Sequence, residues 1–365
     1  MALNLTNCKL LINAESFGFG PTAAAASFFP LLKGQVNRMS YIGDGHSLDI
    51  QRPLAYNEIY DLADMSEGQL IETLQQYDVF FTSLDFIMAE KARAAGLKVI
   101  IYDPLTWFWK EMPEAVKYCD LYLSQNFIGV NTILESYKAA MSGTLLPVPP
   151  ILQADVPRRE GRHVLLNFGG LMNPFWSEAD AINYAAHMYK AVRAAVPMGE
   201  ELIVCASEKI IKALPYMGAK SYPREEMLKV LAGSKYAFMT SGLGNIYDAA
   251  QFDLPTVWLP PTNDSQGQQL EMIQAEGYVD RAIAWHDVLD ISPLDYRKEQ
   301  SQVMKDIVKC VHGLDRASLC MKSSLDFIAN ARGSASKALI DVYGTSGDRA
   351  VALAVLSFIE KGGKE

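Results

Sequence analysis

The chain has 365 residues, half of them hydrophobic and 21% charged, with a formal net charge of −9. That length suits two domains with ample core, while an acidic balance without any run of Lys or Arg argues against binding a nucleic-acid backbone. Five scattered cysteines without a CxxC, and five histidines without HExxH or HxH, argue against a disulfide framework and against a metal centre built from them.

The opening stretch MALNLTNCKLLINAESFGFG holds one Lys and is interrupted by Asn13 and Glu15, so it does not read as a signal peptide. No window approaches the roughly 18 apolar residues of a membrane span. The expected location is the cytoplasm. KLLIN (9–13) reads as a strand, followed by a Gly/Pro turn and the helical TAAAASFFPLL. VNRMSYI (36–42) is a second strand, and SEGQLIETLQQY carries the Ser66–Gln69 spacing of a capping box. DVFFTSL, KVIIYDP and LYLSQN are further strands, separated by the helical FIMAEKARAAG and EMPEAVKYC. LLPVPPILQADVPRREGR (145–162) breaks the pattern with prolines and charge and reads as a connection.

The alternation then restarts. HVLLNFGG is a strand, SEADAINYAAHMYKAVRAAV a helix, and ELIVCAS a strand. A helix, a short strand AKSY, the helix REEMLKVLAG and the strand YAFMTSG follow. Next come a helix from Asn245, the strand PTVWLP, a loop TNDSQGQQ and a helix from about Gln266. From about Asp295 the chain reads as helical, with a break near GTSGD (344–348). Strands spaced by helices of this length imply βαβ units and parallel sheets. The expected architecture is α/β, with two Rossmann-like domains facing each other. Their expected bounds are 1–150 and 162–335, joined by a linker at 151–161. A helical tail, 336–365, follows.

Three turns carry candidate chemistry. In NAESFGFGPTAAAA (13–26), Gly18 and Gly20 bracket Phe19 between a strand end and a helix start. Such a turn packs helix on sheet closely, and it also exposes N–H groups to a ligand. Glu15, Ser16 and Phe17 lie at the same strand end. In LLNFGGLMNPF (165–175), Gly169 and Gly170 turn the chain in the same way. In YAFMTSGLGNIYDAA, the turn Ser241, Gly242, Leu243, Gly244, Asn245 opens a helix able to hold a diphosphate without a cation. Asp248, placed in about the first helical turn, can either accept two ribose hydroxyls or compensate the helix dipole. The amide-rich loop behind PTVWLPP can hydrogen-bond sugar hydroxyls, or be merely solvated.

The order of Gly turn, acid, strand and amide loop resembles the nucleotide-sugar half of GT-B glycosyltransferases. It is closest to the family that adds N-acetylglucosamine to the lipid-linked peptidoglycan precursor, and to natural-product UDP-sugar transferases. The resemblance is specific over about 220–275 and architectural elsewhere. It implies that Ser241 and Gly242 contact the diphosphate and that Asp248 holds the ribose, where the family usually has Glu. It also implies that Pro260, Asp264, Gln268 and Gln269 reach the donor sugar, with Gln266 a rival. By the same resemblance Tyr222–Arg224 hold the uracil, Gly169–Gly170 face the phosphates, and the tail 336–365 packs back on the first domain. SFGFGP looks somewhat like the FGWG opening of cytosylglucuronate synthase-like proteins, which join glucuronic acid to a free pyrimidine. The amino-terminal half lacks a patch of Lys with exposed apolar residues, so a soluble acceptor is expected rather than a lipid.

No metal or other cofactor is expected; the UDP-sugar is a co-substrate, and helix N-termini stabilise the leaving diphosphate. The base belongs at a strand end of the amino-terminal half. Candidates are Glu15, Asp103 at the end of KVIIYDP, and Asp44 with His46 in GDGH. Trp107 and Trp109 are either core or a platform for a flat acceptor such as a nucleobase. A nucleotide-sugar epimerase of the same architecture and a non-catalytic nucleotide-sugar-binding protein are the alternatives. The oligomeric state is not legible.

Overall fold

The computed structural model describes residues 4–152, 156–171, 173, 175–314, 316–328, 331 and 333–362. Residues 153–155 of the expected linker, and Met172 and Pro174 of the second Gly turn, lie outside the described residues. The chain divides into two units, Met1–Leu152 with Tyr343–Glu365, and Gln153–Val342.

Unit 1 holds a sheet of seven parallel strands: β1 Lys9–Ala14, β2 Arg38–Gly43, β3 Ile59–Asp61, β4 Val79–Ser83, β5 Lys98–Asp103, β6 Leu121–Gln125 and β7 Thr144–Val148. Their order is β3-β2-β1-β4-β5-β6-β7. The central strands are apolar on both faces because helices cover both sides of a parallel sheet. The helices Gly20–Leu32 and Gly347–Glu360 share one face, where Phe28, Phe29, Val355, Phe358 and Ile359 pack with Leu10, Ile12, Phe81 and Tyr102. Each such buried side chain contributes about 1.5–3 kcal/mol of transfer free energy. Unit 2 holds β8 His163–Asn167, β9 Leu202–Cys205, β10 Ser234–Met239, β11 Thr256–Trp258 and β12 Arg281–Ala282, in the order β12-β11-β10-β8-β9, again all parallel. Val164, Leu166 and Phe238 there meet Tyr184, Met188, Ile307 and Met321.

In both sheets the order reverses at one place, between β1 and β4 in unit 1 and between β8 and β10 in unit 2. Connections leave in opposite directions there, so a crevice opens beyond the carboxyl ends of the two strands, the usual ligand position of such sheets. All three Gly turns singled out in the sequence sit at these two points.

The expected capping box forms: the Gln69 N–H donates to Ser66 Oγ at 3.4 Å, and the Ser66 N–H to Gln69 Oε1 at 2.9 Å. Four local expectations are corrected. The start of the Pro-bearing stretch, 144–148, is a strand, allowed to contain Pro147 because it pairs only with β6 at the sheet edge. AKSY is no strand; a single bridge joins Lys220 to Cys205. The helix expected from Asn245 begins at Leu243, which puts Asp248 in its second turn. The run 264–269 is not loop but the start of the helix Asp264–Ala275, because the Asn263 side chain accepts the Gln266 N–H at 2.8 Å and caps it.

Candidate functional site

In unit 1 the pairing of β1 continues one step past its end, the Glu15 N–H donating to the Ser83 carbonyl at 2.9 Å. Buried Asn13 donates to the Ile42 carbonyl at 3.0 Å and accepts from Thr82 Oγ1 at 2.7 Å. Thr82 in turn accepts the Asp85 N–H at 3.2 Å, so one polar relay fixes the ends of three neighbouring strands. Leu84 stands between them with φ 69°, a left-handed backbone that a bulky residue adopts only under constraint. Asp85 caps the next helix, accepting the Met88 N–H at 2.9 Å.

Glu15 is thereby held half-buried near two further carboxylates. Burial first, then the charges of Asp85 and Asp44, push its carboxyl up to about 7. Ser16 donates to the Asp44 carbonyl at 3.0 Å and to the Asp44 carboxylate, and His46 Nε2 meets the Gly18 carbonyl at 2.5 Å. The GDGH loop is thus bolted onto the SFGFG loop, and the Phe19 ring meets His46 edge-on at 5.0 Å. Gly18 has φ 63°, which only glycine adopts freely. Gly20 opens its helix with no side chain capping it. Phe17, half-buried, lies in the same loop.

Asp103 behaves differently from Glu15. It is 0% exposed, and both oxygens are engaged. The Leu105 N–H donates to one at 2.6 Å, while Trp109 Nε1 and the Tyr122 hydroxyl each donate to the other at 2.7 Å. Burial raises its carboxyl to about 6 against the lowering pull of these three donors. With none of its surface exposed, the group is closed off from a ligand's proton and ties the 105–109 turn to the sheet. Trp107 is 7% exposed, donates to the Pro104 carbonyl and packs on Phe127. Trp109, with Phe86 edge-on at 5.3 Å, is the more open aromatic side chain. The Asp103 arrangement has a measurable consequence. Tyr122→Phe removes one donor from a buried carboxylate and is expected to cost about 1.5–3 kcal/mol at pH 8. The loss shrinks at pH 5, where Asp103 is largely neutral; urea unfolding at both pH values checks the sign.

In unit 2 an amide network joins the two strand ends. Asn167 Nδ2 donates to Asn245 Oδ1 at 3.1 Å, Asn245 Nδ2 donates to the Thr240 carbonyl at 2.8 Å, and Thr240 Oγ1 donates to the Phe168 carbonyl at 3.1 Å. Gly169 turns at φ 59°, its N–H held by Asn167 Oδ1, and Gly170 follows. The helix Leu243–Gln251 starts at Gly242 without a side-chain cap. Above its first turn a side chain added at Gly244 would meet nothing within 4 Å. An uncapped start of this kind leaves the first N–H groups without an intrahelical acceptor and concentrates the positive end of the helix dipole there.

Ser241 is buried and donates to the Gln266 carbonyl at 3.3 Å. The stretch 260–263 is pinned by two buried aromatic donors, the Tyr184 hydroxyl on the Pro260 carbonyl at 2.7 Å and Trp285 Nε1 on the Pro261 carbonyl at 2.9 Å. Asp264 is buried and accepts from Gln300 at 3.4 Å. Gln268 donates to the Tyr296 carbonyl at 2.9 Å, and Gln269 is buried. Gln266 is therefore the glutamine of the three nearest the Ser-Gly turn.

The Asp248 side chain is 5% exposed, and both its oxygens accept from the Arg224 guanidinium at 2.6 Å. Arg224 opens the helix Arg224–Ala232 just after half-buried Tyr222. This fork joins two residues 24 positions apart that the sequence reading treated separately; no local signal announces it. Among the described residues there is no group of three His, Cys, Asp or Glu arranged to hold a metal ion, and no helix long and apolar enough to cross a membrane.

No family model and no curated protein matches the chain. Solved structures do. A protein described as a UDP-N-acetylglucosamine 2-epimerase from Listeria monocytogenes matches at 12% identity over 98% of each chain, with a TM-score of 0.54. The calicheamicin glycosyltransferase CalG4 matches at 11% identity over 97% of this chain and 98% of its own, at 0.52. LpCGTa, solved in complex with UDP, matches at 9% identity over 95% and 99%, at 0.50. These likenesses show the fold: two parallel α/β units of the GT-B type with a helical carboxyl-terminal region.

Proposed function

We propose that the chain is a metal-independent glycosyltransferase that moves a sugar from a nucleotide sugar, a UDP-sugar, to a small soluble acceptor. Unit 2 takes the donor and unit 1 the acceptor. The observation that carries this reading is the coincidence, in each sheet, of the switch point with a Gly turn of the right chemistry. In unit 1 the turn lies beside Glu15, a carboxyl raised to about 7 and so poised as a base near neutral pH. In unit 2 it lies at an uncapped helix start, suited to a diphosphate. The fold, shared with glycosyltransferases, supports it.

In this reading Glu15 takes the proton of the acceptor as the acceptor atom bonds to the anomeric carbon. The bond from that carbon to the diphosphate breaks, and UDP leaves with the electron pair. The N–H groups of the Leu243–Gln251 helix, with Gly169 and Gly170 opposite, stabilise the charge that develops on the leaving group. Asp248, steadied by Arg224, offers its remaining lone pairs to the ribose. Asp44 and His46 hold the loop that carries Ser16 and Gly18, and Trp109 with Phe86 supplies an aromatic edge for a flat acceptor.

Incubation with a panel of UDP-sugars, with and without acceptors, tests the proposal. UDP release that depends on acceptor supports transfer; accumulation of an epimer would point to the epimerase shared by this fold, and binding without turnover to a sugar-nucleotide carrier. Asp248→Ala is expected to weaken UDP binding by about 1–3 kcal/mol by calorimetry. Unchanged affinity removes the ribose role.

A further inference from the structure

From Lys235 to Arg281 the sequence contains no other Lys or Arg. That stretch includes the whole Ser-Gly turn, its helix and the capped helix behind it. An anion seated there by these elements has to be held by neutral donors, and their orientation decides whether they help or repel.

The orientation of one of them is fixed. Gln266 Oε1 accepts from the Thr262 N–H at 3.0 Å and from Thr262 Oγ1 at 2.9 Å. A backbone N–H can only donate, so the atom facing it has to be the amide oxygen. The amide nitrogen is thereby turned away from Thr262. It lies beside Gly242, 4.0 Å from where a Cβ on that glycine would stand. Gly242 is the residue at which the uncapped helix begins. The main chain of Gln266 is fastened to the same turn, through the Ser241 hydroxyl. Thr262 itself is held in place by the neighbouring pinned carbonyls of Pro260 and Pro261.

We propose that Gln266 is a phosphate-side donor and not a sugar contact: its amide N–H groups join those of the Leu243–Gln251 helix start on the terminal phosphoryl group of a nucleoside diphosphate. The inference rests on the donor reading of unit 2 and assigns within it a residue that separates a nucleoside diphosphate from the nucleoside alone. The absence of a side chain on Gly242 keeps the gap between the amide and the helix start clear.

Gln266→Glu is the discriminating variant. It keeps the oxygen that Thr262 holds, so the loop stays fastened, but replaces the donor beside Gly242 with a second carboxylate oxygen. Wild type and variant are titrated with uridine, UMP and UDP, and thermal unfolding is recorded for both. The expected result is uridine affinity unchanged within about twofold and UDP binding weaker by about 30-fold or more, with Tm preserved. Raised KM for the UDP-sugar should accompany it. Equal losses for uridine and UDP, or UDP affinity unaltered, would overturn the proposal. If the wild-type protein binds none of the three ligands, the donor reading itself falls, and this inference with it.

Discussion

Glu15→Gln is expected to lower kcat by about 10²–10⁴-fold and, at the same time, to make the protein more stable above neutral pH. Both effects have one cause. Burial, then Asp85 and Asp44, hold the carboxyl at about 7 in the folded chain, against about 4.3 when unfolded. The folded state therefore binds the proton more tightly. Stability from this group is fully present below about pH 4 and is lost as pH rises towards 7, beyond which a constant penalty remains. Glutamine does not ionise, so the variant escapes that penalty, about 3.7 kcal/mol at pH 8 from the pKa difference alone and about 1–3 kcal/mol once solvent screening of this half-buried group is included. The gap closes at pH 4. In the wild type, kcat/KM should climb with pH through about 7; the variant should lack that limb. A variant with wild-type turnover, or one destabilised at pH 8, would remove Glu15 from the base role.

Gly347→Ala is expected to destabilise the protein by about 2–4 kcal/mol. A Cβ at this position would run into the Pro149 carbonyl oxygen and would lie 2.7 Å from the carbonyl carbon of Pro150. These are backbone atoms that cannot swing aside. The Gly347 N–H donates to the Pro150 carbonyl at 2.9 Å, so any shift that relieves the clash also stretches this bond. The helix behind it carries Val351, Val355, Phe358 and Ile359 into the unit 1 core, and its docking should loosen. Gly68→Ala is the matched control. It lies exposed in the helix Glu67–Leu74 with nothing within 4 Å of a new Cβ, where alanine is favoured by its helix propensity. Chemical denaturation of both variants decides the point; equal midpoints would show that Pro149 and Pro150 yield.

Much of the frame was legible because a parallel sheet writes itself in runs such as KLLIN, VFFTS and KVII, buried on both faces. Ser66 and Gln69 announced their helix because a capping box is local. Where the reading missed, either a local signal conflicted or none existed. Pro147 looked like linker chemistry, yet at a sheet edge a missing N–H costs little. Asn263 to Gln269 looked like a solvated loop, although Asn263 followed by Gln266 is also a helix start, and the side-chain cap decides for the helix. The candidate residues sort the same way. Glu15 and Asp103 are both acids at strand ends, and their sequence contexts did not separate them. Only the third dimension shows one half-open beside Asp44 and Asp85, and the other enclosed by Tyr122, Trp109 and Leu105. The Arg224–Asp248 fork and the turned amide of Gln266 are likewise tertiary facts.

The first unit is assembled from both ends of the described chain, with Pro150 and Gly347 hydrogen-bonded where the polypeptide departs and where it comes home. The second unit is thus an insertion between two neighbouring positions of its host. The doorway through which it is threaded is a single pair of adjacent backbone positions, so the inserted unit is, in topological terms, an exchangeable cassette.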